Sequence, residues 1–175
     1  MGAPFLLRAP LSGVLVPIDQ IPDPVFAQKM VGDGVSIDPV STVLLAPCAG
    51  RVIQLHSAAH AVTLGAAGGL EVLMHIGLDT VELKGRGFTV RVKIGDEVRA
   101  GDALIEFDAD YVATHAKSLL TQIVITTLDR VVSMTSASGV VTAGQDTILE
   151  ITMSGAAVAP AAAGGESIRS GPIVV

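Results

Sequence analysis

The sequence predicts an all-β fold, an antiparallel sandwich or barrel, on three observations. Short β-branched runs recur along the whole body of the chain. Gly, Pro and Asp cut these runs at regular spacing, as turns require. Helical spacing is confined to one or two short stretches. Gly13 to Ile18 reads as the first strand, closed by Pro22-Asp23-Pro24, and Phe26 to Lys29 as one helical turn. Met30 to Ile37 follows, its glycines marking a turn or bulge. Thr42 to Pro47 and Gly50 to Leu55 are parted by a Pro/Gly turn. Ala61 to Leu64 and Leu70 to Ile76 flank the glycine-rich break at 65–69. Phe88 to Val92, Ala103 to Phe107 and Gln122 to Thr126 complete the strands, and Asp110 to Leu120 is the expected helix.

A chain of 175 residues suits one domain with spare tail, and 50% apolar against 16% charged residues makes it globular. The net charge of -6, with no basic run, argues against a nucleic-acid partner. Cys48 is alone, so neither a disulfide framework nor a thiolate metal cluster is expected, and a reducing compartment fits. Phe5-Leu6-Leu7 is too short for a secretion signal or a membrane span, so the expected address is the cytoplasm. Composition divides the chain into a β-domain over 1–152, an Ala/Gly/Pro-rich linker over 153–166 and a tail over 167–175. The tail reads equally as a frayed end or as the first strand of a following domain.

His60 and His75 stand fifteen residues apart in two strongly apolar segments. A lone histidine on such a segment is usually a satisfied core residue. The alternative is an imidazole held at a dry rim as nucleophile or metal ligand.

Several ordered motifs decide between these. Pro22 to Gly34, Ala46-Pro47-Cys48-Ala49-Gly50, Ala59-His60-Ala61, Leu70 to Gly85 and Val98 to Asp108 resemble the glucose-class enzyme IIA domains of the bacterial phosphoenolpyruvate-dependent sugar phosphotransferase system. The resemblance runs from about Pro10 to Val132, almost without gaps, and keeps the histidine spacing. It implies a β-sandwich of the duplicated barrel-sandwich type, with both histidines in one shallow apolar depression. By the same resemblance His75 accepts a phosphoryl group from the carrier protein HPr and passes it to a cysteine of a transporter IIB domain. His60 is then the neighbour that hydrogen-bonds the phosphoryl group. The domain would be a phosphotransferase component working through a phosphohistidine, serving glucose or N-acetylglucosamine uptake and meeting the membrane only through the permease.

The chemistry suits the residues. Phosphoryl transfer needs positioning more than covalent power, and a neutral imidazole is a good nucleophile near pH 7. A second imidazole can balance the new dianion, and an apolar rim keeps out hydrolytic water. Asp23 and Asp79 are expected to rim the depression and meet arginines of HPr. Val25, Phe26, Met30, Val31 and Leu73 are candidates for the apolar partner face, with core packing the competing assignment. The glycines of Gly32-Asp33-Gly34 serve backbone conformation and form no phosphate-binding loop. The tail 170–175 is similar to the opening strand of an HPr domain, as in fused multiphosphoryl-transfer proteins.

Two positions depart from the family pattern. Ala58 stands where members commonly carry threonine, and His56 where they carry an apolar or aromatic residue. The third histidine opens a metal reading, with zinc at His60 and His75 in a hydrolase-like sandwich, but no His-x-His pair supports it. No cofactor is required on the main reading. The segments around Cys48 and Gly95 also look like strands of biotinyl and lipoyl carriers. The stretch between them is too long for a lysine hairpin, and Lys84 lacks the context of a modified lysine. A non-catalytic adaptor domain is the last alternative.

Overall fold

Alternating side chains become strands wherever every second one can leave water. In a computed structural model describing residues 4–154, the first strands are β1 (Phe5–Arg8), β2 (Gly13–Pro17), β3 (Asp33–Pro39), β4 (Val43–Leu45) and β5 (Gly50–Leu55). Then come β6 (Ala61–Gly65), β7 (Glu71–His75), β8 (Phe88–Val90), β9 (Glu97–Val98) and β10 (Ala103–Phe107). The last are β11 (Thr121–Ile125), β12 (Val131–Ser136), β13 (Val140–Val141) and β14 (Thr147–Met153). Two α-helices join them, α1 (Pro24–Ala27) and α2 (Ala109–His115).

Hydrogen bonding gathers the strands into an eight-stranded sheet of order β13-β2-β3-β11-β7-β6-β5-β9. Two three-stranded sheets, β1-β14-β12 and β4-β10-β8, complete the fold, and every pairing between described strands is antiparallel. All-β antiparallel architecture is therefore as expected.

The strand that positions the site is β7. Its alternation sends Val72 and Met74 into the main core, with Leu64, Leu104, Ile105 and Ile123. Leu73 and His75 face the other way. That second face is covered by a smaller cluster of Ile18, Ile21, Phe26, Leu78 and Val124. Each fully buried aliphatic side chain contributes about 1.5–3 kcal/mol, so a β7 carrying aliphatic residues on both faces is firmly held. The segment α1 starts where Pro24 sets the first helical position and the Asp23 carboxylate accepts from Val25 N–H at 2.9 Å. This turn carries Phe26 into the smaller cluster, over the site.

The structure corrects three expectations. Helix α2 stops at His115, not Leu120, because Ala116 turns extended and Ser118 bridges to Leu78. Strands β1, β12 and β14, unread in the sequence, form a sheet of their own. Met153, assigned to the linker, is the last residue of β14. The remainder of the expected linker and tail, 155–175, lies outside the described residues.

Candidate functional site

A tight hairpin between β5 and β6 sets the first two imidazoles. Ala59 N–H donates to the His56 carbonyl at 2.8 Å and His56 N–H to the Ala61 carbonyl at 3.0 Å. Ala59 closes the turn in the left-handed region, at φ 66°. His56 and His60 therefore flank the tip, with ring centroids 4.5 Å apart. Next, β6 pairs with β7 so that Ala61 lies opposite His75, and Ile76 N–H donates to the His60 carbonyl at 2.8 Å. That register brings the His60 and His75 rings to 4.7 Å, edge to face. Phe26 closes the far side of His75 at 5.1 Å, and Phe88 lies 6.4 Å from His60.

The tautomer of His75 follows from its neighbour. Nδ1 lies 2.9 Å from the Gly77 carbonyl, which can only accept, so Nδ1 carries the hydrogen and Nε2 keeps its lone pair. Gly77 sits at φ 76°, and a Cβ there would meet the Ser118 carbonyl oxygen at 2.7 Å. Thr80, fully buried, pins the same turn by donating its hydroxyl to the Ile76 carbonyl at 2.6 Å.

Both rings are neutral near pH 7. Burial first, then the His75 and His56 imidazoles, push His60 down to about 4. The Ala58 backbone offsets this in part, yet among the described residues no group is in hydrogen-bond geometry with the buried His60 Nδ1. Burial also lowers His75 below the ordinary histidine value. The Gly77 carbonyl, the Asp23 carboxylate and the Gln122 amide pull it back up, and His56 opposes them. A half-buried neutral imidazole with a free Nε2, walled by aromatic and aliphatic groups, is a nucleophile for a small electrophile. Cys48 is no rival: buried, its thiol is pushed up to about 12.

The expected rim is partly assembled. Asp23 caps α1, and its charge reaches His75. Asp79 is exposed at φ 59° in the turn after β7, and it is absent from the charges that act on His75. Val25, Met30 and Val31 are exposed, Met30 by 69%. Phe26 is buried in the smaller cluster and walls the site, which favours core packing among its two expected assignments. Leu73 is half-buried against the smaller cluster and also lines a groove of about 370 Å³ with Leu55, His56, Ala61, Thr63 and Ile94.

Sequence reasoning missed Gln122 and Ser36. Both are fully buried, and in the sheet Gln122 lies opposite Ser36 on one side and His75 on the other. The only signal was polarity inside a strand otherwise buried throughout. His56, His60 and His75 cluster, but among the described residues no three His, Cys, Asp or Glu side chains could together hold a metal ion. His60 and His75 offer two imidazoles, two short of a tetrahedral zinc set.

A family described as phosphoenolpyruvate-dependent sugar phosphotransferase system, EIIA 1, matches residues 6–131. This chain belongs to that family. EIIA members are phosphotransferase components that carry a phosphoryl group on histidine, and this is the activity of the chain. Among curated relatives, the glucose-specific EIIA component of Halalkalibacterium halodurans is 45% identical over 151 residues, 86% of this chain and 87% of that one. The glucose-specific EIIA component of Staphylococcus aureus is 46% identical over 148 residues, covering 84% and 89%. The solved glucose permease IIA from Mycoplasma capricolum superposes with a TM-score of 0.79 at 33% identity, covering 86% of this chain and 96% of that one. EIIA domains work in general between phospho-HPr and a IIB domain. No helix among the described residues is long and apolar enough to cross a membrane.

Proposed function

We propose that His75 is the phosphoryl-carrying residue, receiving the group from phospho-HPr and yielding it to the cysteine of a IIB domain in a glucose-type permease. The observation that carries this reading is the Nδ1–H contact to the Gly77 carbonyl, which leaves Nε2 as the nucleophile. In the first half-reaction Nε2 attacks phosphorus, the P–N bond to the HPr histidine breaks, and Nδ1–H stays in place. The His75 ring becomes a phosphoimidazolium. In the second, a IIB thiolate attacks phosphorus, and the Nε2–P electron pair returns to a neutral ring. The Gly77 contact thus supports both directions, since it stabilises the ring cation and fixes the tautomer left behind.

His60, neutral and 4.7 Å away, stabilises the phosphoryl dianion by donating a hydrogen bond. Asp23 and Asp79 steer arginines of HPr, while Val25, Met30 and Val31 supply apolar contact. Leu73 and His56 extend this face along the adjoining groove. The transfer calls for no metal or organic cofactor, and the protein acts at the cytoplasmic face of its permease. The relatives' names favour glucose as the sugar.

Intact mass after incubation with phosphoenolpyruvate, enzyme I and HPr tests the reading. Wild type should gain one acid-labile phosphoryl group and His75→Ala none. His60→Ala should accept the group but pass it on slowly. A wild type that stays unmodified overturns the proposal.

A further inference from the structure

The nucleophile does not stand alone in its sheet. Across four neighbouring strands a row of paired residues runs Ser36 (β3), Gln122 (β11), His75 (β7) and Ala61 (β6). Directly opposed residues of an antiparallel sheet point to the same face, so Ser36, Gln122 and His75 share one surface. Ser36 and Gln122 are wholly buried there.

The Gln122 amide is locked from both sides of its nitrogen. Nε2 donates to the Leu120 carbonyl at 2.7 Å and toward Ser36 Oγ at 3.4 Å, while the Ser36 hydroxyl donates to the Thr121 carbonyl at 3.1 Å. Turning the amide over would put its oxygen 2.7 Å from a carbonyl oxygen, so the Oε1 assignment follows from the network. Among the described residues Oε1 is then buried with no hydrogen-bond partner. A buried acceptor left unpaired costs about 1–3 kcal/mol, which calls for a compensating role.

We infer that Gln122 is a positioning residue of the phosphoryl site: its locked amide oxygen faces the His75 ring and stabilises that ring when phosphorylation makes it cationic. An amide oxygen presents the negative end of its dipole, and in a low-dielectric setting a developing positive charge gains most from it. The neutral ring needs this little, so Oε1 can stand unpaired in the resting protein. The Gly77 carbonyl acts on the Nδ1 side, and Gln122 adds a second acceptor from the neighbouring strand.

The inference rests on the phosphohistidine reading, and its test separates the two. Gln122→Met keeps the volume and removes the oxygen. Its equilibrium phosphorylation by phospho-HPr should fall about three- to tenfold, the loss expected of one hydrogen-bonding dipole. The 15N ring resonances of His75 should move in the unphosphorylated variant, while those of distant His115 stay put. Ser36→Ala, which loosens the amide without removing it, should move the same His75 resonances by a smaller amount. Wild-type His75 resonances in a folded Gln122→Met overturn the inference, as does wild-type phosphorylation. If Gln122→Met fails to fold, unmoved His75 resonances in Ser36→Ala overturn it instead. A wild type that takes no phosphoryl group defeats the phosphocarrier reading, and the resonances alone then judge Gln122.

Discussion

The His60 ring meets the His75 ring edge to face, at 81° and 4.7 Å between centroids. His60 is 2% exposed, so the two imidazoles are not equivalent. The deeper ring is held neutral by burial and by its neighbours, while the half-buried one keeps Nε2 available. Burial together with the His75 and His56 imidazoles disfavours a charge on His60, which suits it to the hydrogen-bonding role proposed above.

That depth predicts a pH dependence of stability. In the unfolded chain His60 titrates near 6.5, and in the fold near 4. Between these values the unfolded state binds the extra proton, so acid destabilises the fold, and the loss is complete below the folded value. Full stability is present above the unfolded value, and His60 accounts for at most about 3 kcal/mol of the difference. Urea midpoints measured from pH 7 to pH 4 should fall less steeply for His60→Gln than for wild type. Parallel curves would show that His60 is not the group responsible.

The turn after β7 is a second point of leverage. Gly77→Ala must both adopt φ 76° and fit a Cβ against the Ser118 carbonyl and Thr80 Cγ2, the latter at 2.5 Å. Strain of this kind costs about 1–3 kcal/mol. Gly95→Ala is the control, since its φ of 99° is equally unusual but among the described residues nothing would lie within 4 Å of its Cβ. Chemical denaturation should therefore rank Gly77→Ala below Gly95→Ala. Only Gly77→Ala should also slow phosphorylation, because its carbonyl holds His75 Nδ1.

Asp23→Asn separates charge from capping. Asparagine still accepts from Val25 N–H, so α1 and the melting temperature should stay as they are. The negative charge that raises the basicity of His75 is gone, so His75 should titrate at lower pH by NMR. Association with HPr should slow and lose part of its salt dependence. An unchanged His75 titration would mean that Asp23 is too well solvated to matter.

How much of this was legible depends on what each residue competes with. Gly50–Leu55 and Ala103–Phe107 were read residue for residue, because alternation and turn punctuation coincide at both ends. β12 and β14 were not, since Val131–Ser136 is half polar and Thr147–Met153 follows a change in composition. Both exist because β14 pairs with β1 as well as β12, a long-range fact. The overlong helix failed for a similar reason: Lys117 and Ser118 bond to Leu78 instead of continuing the coil. His60 and His75 were visible because imidazoles are rare in so apolar a chain. Gln122 was not, because a glutamine on a strand looks like a solvent-facing residue until the register sets it between Ser36 and His75.

The exposed apolar residues around α1 give a prediction about docking alone. Met30 is 69% exposed and contributes little to the fold. Met30→Asp should leave the melting temperature within the scatter of surface substitutions while raising the KM for phospho-HPr about tenfold. A normal KM would remove Met30 from the partner face and leave Val25 and Val31 to carry it.

Ala58 offers the most informative single gain. Among the described residues the buried Nδ1 of His60 has no hydrogen-bond partner, and the residue two positions earlier, Ala58, ends at a methyl group. Ala58 is itself buried, and its N–H is committed to His56 Nδ1 at 3.0 Å. Ala58→Thr would add a hydroxyl that can either donate to Nδ1 or accept from it, so the tautomer of His60 does not limit the remedy. Satisfying one buried polar atom should raise stability by about 1 kcal/mol, read as a higher urea midpoint with unchanged slope. The His60 ring resonances should sharpen toward one tautomer, and onward transfer from His75 should quicken because its partner is better oriented. An unchanged midpoint together with unchanged His60 resonances would mean that the added hydroxyl does not reach Nδ1.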